Sequence, residues 1–571
     1  MRFIRREFGE QKWWGSAHRG IAIGVAGLAA LLLLPAASAD AAQCKQPKGN
    51  HEPPCNPFLA ESPWGVTHRG SYAQGSSPFR GVENSKATSQ HLDVRGTPIA
   101  IQFSDRYDDG GRAAWLSMVD TGTANGQALS KIDVDTGELI DTYVPGQRES
   151  QPPESGGGIT GAYNLLDRSG RFFVPRERSF DVYKDSVSGD RFSEIKLRKR
   201  YKLPESAFCG ADDRLVGATM TYDGYLAFAT ARGVVGTVPR QPKQMQDSAL
   251  RTINLNEGSC DAGDDQLETV SNNIAADERG GIYVVTSERM RRIDHRADQN
   301  ELKSKWSAPY NAGPDASEIR LGQGSGSTPS LMGTGPGQDK FVAVTDGQDL
   351  MHMDLFWRNK VPGDWQGLDA EHPRRQACEY PVRFGDPDAT TSLSEQSIAV
   401  RGYGTFHVNN SLDYTFPSAL PPVLINALAA IRGGDPAAAP YGAERIDWDP
   451  DSRACGTVWA NDEVSIPNGV PSVSQRSGLA YGISQIDGEW GVTGLDWKTG
   501  RRELFAAQQD QVCSQGVFDL LEEAGLAGLL VPLLEELPNT CGNSTYAATT
   551  IGPGNSIWTG TFLGVTIYRP G

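Results

Sequence analysis

The sequence predicts an all-β, eight-bladed β-propeller of four-stranded antiparallel blades, with seven blades as the alternative, carrying two short apolar helical insertions. Three observations predict it. A polar lead-in, a Gly- or Asp-containing turn, an apolar run and a polar exit recur eight times, at a spacing of roughly 55 to 75 residues. The apolar runs are short and rich in β-branched and aromatic residues, as strands covered on both faces require. The 65 glycines and 35 prolines supply many turns.

In chain order, residues 1–39 read as a signal peptide. Arg2, Arg5, Arg6, Lys12 and Arg19 lead into an apolar run from Ile21 to Leu34, and Ala37-Ser38-Ala39 offers the small residues of a cleavage site. The run is short for a membrane span. Arg5-Arg6-Glu7-Phe8 resembles a twin-arginine signal, but its flanks depart from that pattern and Sec export is expected. Without the leader's five basic and two acidic residues, 49 Lys+Arg face 68 Asp+Glu, a net charge of −19 that argues against a nucleic-acid partner.

Eight cysteines, all after the leader, read as four disulfides in a periplasmic or secreted protein. The sequential pairing is expected among the many connectivities open, because each pair would close a local insertion or blade: Cys44 with Cys55, Cys209 with Cys260, Cys378 with Cys455, Cys513 with Cys541. Residues 40–61 would form an N-terminal disulfide-bonded segment and residues 62–571 the propeller.

The eight segments are 101–120, 162–178, 217–238, 271–294, 326–347, 395–411, 470–485 and 546–568. In the fourth, "SNNIAADERGGIYVVTSERMRRID", the asparagines belong to an inner strand, Arg279-Gly280-Gly281 to a turn and Ile282–Thr286 to a buried second strand. An N-terminal strand should complete the last blade and remove the free edge. Trp64–Tyr72 is the candidate.

A second signature lies in the outer strands: "KIDVDTGELIDTY" (131–143), "GLDWKTGRRELF" (494–505) and a degenerate "RIDWDPDSRACGTVW" (445–459). The Asp-x-x-Thr-Gly turn resembles the blade motif of PQQ-like (quinoprotein-type) β-propellers, and "SPWGVTHRGSYAQGSSPFRG" (62–81) is similar to the Trp-led opening of many secreted members. "GSGSTPSLMG", "VAVTDG" and "VPSVSQRSGLAY" resemble a group of exported propellers known mainly as uncharacterised. The resemblance implies the fold. It does not carry over a PQQ cofactor, since the vicinal cysteine pair and a haem-attachment motif are both absent from the sequence.

Two segments break the repeat. Residues 415–434 and 514–540 carry helical patterns with wide apolar faces, and Pro532 should kink or break the second. Such faces need a partner surface. They are expected to cover each other and the propeller, or to form an apolar lid over the channel mouth, held by Cys513 and Cys541, with membrane-surface contact through 516–537 as a further use.

No nucleophile elbow, phosphate loop or zinc helix motif is present in the sequence. "DWDPDS" (447–452) alternates acids as a calcium loop does, but Ser452 and Val458 stand where Gly and a bidentate Glu belong. The remaining candidates lie at strand ends facing the channel: Glu268, Asn272, Asn273, Asp346, Glu395, Asn409 and Asn410. Glu268, Asn273, Glu395 and Asn410 together offer the hard oxygen ligands of Ca²⁺, the combination that resembles the metal site of lactonase and strictosidine-synthase-like propellers. His407 is the candidate base beside them. The expected function is an exported ligand-binding or scaffold propeller for an apolar small molecule or partner. The alternatives are a Ca²⁺-assisted lactonase-type hydrolase and a PQQ-dependent oxidoreductase.

Overall fold

In the computed structural model, the described residues are 51–571 apart from 61–69, 95, 119–127, 146, 149–161, 262, 264–265, 315–319, 321, 416–421, 524, 526 and 545. The chain divides into residues 1–39 and residues 40–571. The first of these units, Cys44 and most of the Trp64–Tyr72 segment fall outside the described residues.

Among the described residues the strands form eight sheets in sequence order, antiparallel through their four blade strands, so each of the eight recurring segments falls in its own blade. The innermost strands are short, as in Ala275–Ala276 of blade four and Ser330–Met332 of blade five, and the second strands are wholly buried, as in Gly281–Val285 and Phe341–Thr345. Apolar side chains of neighbouring blades interlock between the sheets. Phe341, Trp357, Trp365 and Trp448 cluster between blades five and six with ring centroids 4.6 to 6.4 Å apart, which gives edge-to-face contacts their preferred spacing.

The Asp-x-x-Thr-Gly signature has a physical cause. In blade one the Asp133 carboxylate accepts the backbone N–H groups of Asp135 and Thr136, both at 2.9 Å, and Gly137 follows at φ 75°. In blade seven Asp496 accepts from Lys498 and Thr499 in the same way, and Gly500 has φ 72°. The acid closes the turn and glycine takes its left-handed corner. Blade six puts Arg453 at φ 53° in that corner, and its Asp449 accepts from Asp451 and Ser452. "DWDPDS" is therefore a strand-connecting turn.

Closure differs from expectation. Thr88–Asp93, not Trp64–Tyr72, is the N-terminal strand that completes blade eight, pairing antiparallel with Gly564–Arg569 from Thr88↔Arg569 to Asp93↔Gly564. The alternating Thr-Ser-Gln-His-Leu-Asp pattern suits an outermost strand that is half exposed. The stretch before it has another task. Ser71, Tyr72, Gln74 and Gly75 offer their carbonyls in turn to Ala276, Leu331, Val400 and Val473, on the inner strands of blades four to seven. Ser76–Ser77 then pairs parallel with Ser472–Ser474 as a fifth strand on the axis side of blade seven. Residues 71–77 thus lace the far ends of four inner strands and occupy that end of the channel.

Three disulfides match the sequential pairing: Cys209–Cys260, Cys378–Cys455 and Cys513–Cys541. Cys55 is also disulfide-bonded. Cys378 and Cys455 tie the outer strands of blades five and six, and Cys513–Cys541 brackets the second insertion. This usage fits an oxidising compartment.

Candidate functional site

The first insertion forms α1 (Pro422–Arg432), between the second and third strands of blade six. The second forms α2 (Gln515–Glu523) and α3 (Ala527–Glu536, with Pro532 inside), between blades seven and eight. Strand direction puts both connections on the face where the chain enters the inner strands. The two insertions meet there. Leu428, Ala429 and Ile431 pack with Leu521, Leu530, Leu534, Phe562 and the Cys513–Cys541 disulfide, and Arg432 pairs with Glu536 at 3.1 Å. The carbonyl of Ala430 accepts from the amides of Asn468 and Asn543, which stand at the start of the inner strands of blades seven and eight. This seats α1 on the channel rim. Leu393, Leu412, Tyr414, Phe518 and Leu563 surround the cluster and stay partly exposed.

On the same rim, residues from alternate blades approach the axis. Tyr163 of blade two receives the backbone N–H of Asn273 of blade four. Burial first, then the charge of Glu395 in blade six, raises the phenols of both Tyr163 and Tyr546 of blade eight above their ordinary value. Both remain neutral donors at any physiological pH. Gly326 leaves room for the Glu395 carboxylate, whose Oε1 lies 2.5 Å from where a Cβ would stand. Ile99, Ala162 and Val216 form an apolar wall with Tyr163. Channel tyrosines were not expected from the sequence. Their one local sign is an aromatic placed just ahead of an inner strand, in "GAYNLL" and "STYAATT".

The side chains of the expected Ca²⁺ set each have protein contacts. The carboxylate of Glu268 is held by Arg291, with Nε–Oε2 at 2.6 Å, and by the Thr286 hydroxyl at 3.1 Å. Asn410 accepts the backbone N–H of Glu395 at 2.7 Å, and its amide donates to the Pro467 carbonyl. Asn273 accepts the N–H of Ala218 at 2.8 Å, while Asn272 donates to the Ser325 carbonyl at 2.7 Å. The adjacent amides therefore join blade four to blade three on one side and to blade five on the other. Asn409 bonds the Tyr441 carbonyl. His407 is 2% exposed, hydrogen-bonded to Thr405 at 2.9 Å, and burial lowers its pKa to about 3. A base needs access to its proton, and burial encloses His407.

Asp346 has a different setting. It follows the second strand of blade five, opposite His352, and the register places Asp354 opposite Glu379 on the same sheet face. Ligand-capable atoms of Asp346, His352 and Glu379 lie within 4.8 Å of one another. Asp354 is fully buried, and desolvation followed by the charges of Asp346 and Glu379 pushes its carboxyl well above the carboxylate range. On the opposite face of the ring, a surface groove of about 600 Å³ is lined by Phe79, Asp105, Arg106, Arg112 and residues 552–555. Arg106 and Arg112 there bond the carbonyls of Gly110 and Ser104.

Among known proteins, an uncharacterized protein of Archaeoglobus fulgidus is 40% identical over 517 residues, covering 90% of this chain and 88% of that one. No protein-family profile matches. Similar solved structures include a quinohemoprotein alcohol dehydrogenase from Comamonas testosteroni, at 13% identity and TM-score 0.47 over 89% of this chain and 80% of that one. A europium-containing methanol dehydrogenase is 12% identical, with TM-score 0.49 over 89% and 98%. Likenesses of this strength say nothing about chemistry. The blade count stands on the strands of the chain itself.

Proposed function

We propose, for a chain that belongs to the family of the uncharacterized Archaeoglobus fulgidus protein, an exported propeller that binds an apolar small molecule beneath its helical insertions. The observation that carries this reading is the meeting of α1 and α3 on the rim where the inner strands begin. Residues 71–77 occupy the far end of the channel, so a ligand would enter on the helix-bearing face. Partly exposed Leu393, Leu412, Tyr414, Phe518 and Leu563 supply apolar lining, and the raised phenols of Tyr163 and Tyr546 supply hydrogen-bond donors. Apolar walls with a few fixed donors are the usual makeup of a small-molecule site. The leader of residues 1–39 would place the protein in the periplasm or outside the cell.

The Ca²⁺-assisted hydrolase is the weaker reading, because Arg291 already neutralises Glu268. Titration with the apolar dye 1-anilinonaphthalene-8-sulfonate tests the proposal. Saturable binding is expected, weakened about tenfold by Phe518→Asp or Leu412→Asp, since each removes roughly one buried apolar side chain from the contact. Unsaturable binding, or binding that neither substitution changes, would reject it.

A further inference from the structure

A polar cluster in blade five lies apart from the channel and gathers three carboxyl groups around one imidazole and one amide. Its parts come from three adjacent strands: Asp346 after Phe341–Thr345, His352 and Asp354 in His352–Trp357, and Glu379 in Gln376–Pro381. Strand alternation puts all four on the face toward blade four, beside Val344 and Phe356, which pack against Tyr283 and Val285.

The amide nitrogen of Gln348 sits among them. It is 2.5 Å from Asp346 Oδ2, 3.0 Å from His352 Nδ1 and 3.3 Å from Glu379 Oε1. An amide nitrogen has two protons to give, and the carboxylates of Asp346 and Glu379 claim both, so it adds no positive charge to the cluster. Asp354 lies behind them. Its Oδ1 accepts from Gln376 at 3.1 Å, but its fully buried Oδ2 has no hydrogen-bond partner among the described residues. A buried oxygen left so is costly unless something positive completes it.

The nearby cation does not serve that purpose. Arg320 directs its guanidinium to the carbonyls of Gly324, Gly347 and Gln348, and the Tyr310 hydroxyl donates to the Thr286 carbonyl. The ligand atoms are also held in place. Asp346 Oδ1 accepts the His352 N–H at 2.7 Å, and Glu379 Oε2 meets His372 Nε2 at 2.8 Å, with His372 Nδ1 bonded in turn to Asp369 at 2.7 Å. Such outer contacts orient the ligands of metal sites.

We propose that Asp346, His352 and Glu379 bind a divalent cation of the Zn²⁺ class in the space between their side chains that the Gln348 amide now fills, with Asp354 as the buried carboxyl group behind them. The 3.1 Å between Asp346 Oδ2 and His352 Nδ1 suits two atoms that each stand about 2.0 to 2.2 Å from a shared ion. Swinging the Gln348 side chain aside would vacate that space and let its amide oxygen approach the ion as a further ligand. An imidazole nitrogen among carboxylates favours a borderline ion over Ca²⁺ or Mg²⁺. His352 and Glu379 are partly exposed, which leaves a way in. The ion would fasten three strands of one blade, independently of any ligand under the helices.

The test is zinc content and thermal unfolding of the full chain. After equilibration with ZnCl₂ and desalting, the protein should retain one zinc ion per chain by elemental analysis and melt at a higher temperature than in EDTA. His352→Gln and Glu379→Gln should each weaken retention about ten- to a hundredfold while melting normally in EDTA. Gln348→Glu should strengthen it, a gain that does not depend on tolerating a damaging substitution. No retained zinc in the unmodified chain would overturn the proposal. So would retention equal in all three variants.

Discussion

Asn272 and Asn273 show how one residue type serves the ring. Their amides point to opposite neighbours, and each answers a backbone group that would otherwise be buried without a partner. Replacing Asn273 by Ala should lower stability by about 1 to 3 kcal/mol, the cost of an orphaned N–H, and melts with Ca²⁺ or EDTA should show the same loss. His407 makes a pH prediction. Its folded pKa of about 3 lies below its ordinary 6.5, so above pH 6.5 both folded and unfolded chains hold it neutral and its contribution is complete. As pH falls from 6.5 toward 3, the unfolded chain takes up a proton that the folded one refuses, and stability declines by an amount on the order of a few kcal/mol. Denaturant midpoints at pH 7.5 and pH 5 should therefore differ less in His407→Gln than in the unmodified chain.

At the scale of elements, the blades and helices respond to different substitutions. Trp448 is buried among Phe341, Trp357 and Trp365, and Trp448→Ala should cost about 3 to 5 kcal/mol, read as a lower denaturant midpoint. Cys513–Cys541 closes a loop of 28 residues. Its removal by paired Ser substitutions should destabilise α2 and α3 by about 3 kcal/mol, read as faster amide exchange in 515–536 with the blades unchanged. The strands were legible in the sequence because their causes are local: an apolar run, an Asp that closes its own turn, a Gly corner. The helical insertions were legible for the same reason. Site residues were less so. Arg291 claims Glu268 from two strands later in the blade, and Tyr163, Glu395 and Tyr546 approach one another from blades two, six and eight. Neither relation leaves a spacing that a single stretch of sequence displays.

For the whole molecule, the N-terminal stretch does two jobs that the sequence merged into one. Residues 71–77 lace four inner strands, and Thr88–Asp93 closes blade eight. The expectation of closure was sound, but a Trp-led motif drew it one segment too early. The result is a ring with one channel end occupied by its own chain and the other bearing an apolar helical cluster, and that asymmetry is the basis for the functional reading. Native mass spectrometry of the full chain, purified from its own cells without denaturation, tests this most directly. The account predicts an organic adduct that solvent extraction removes and that Phe518→Asp protein lacks. A bare chain, or one carrying only metal ions, would contradict it.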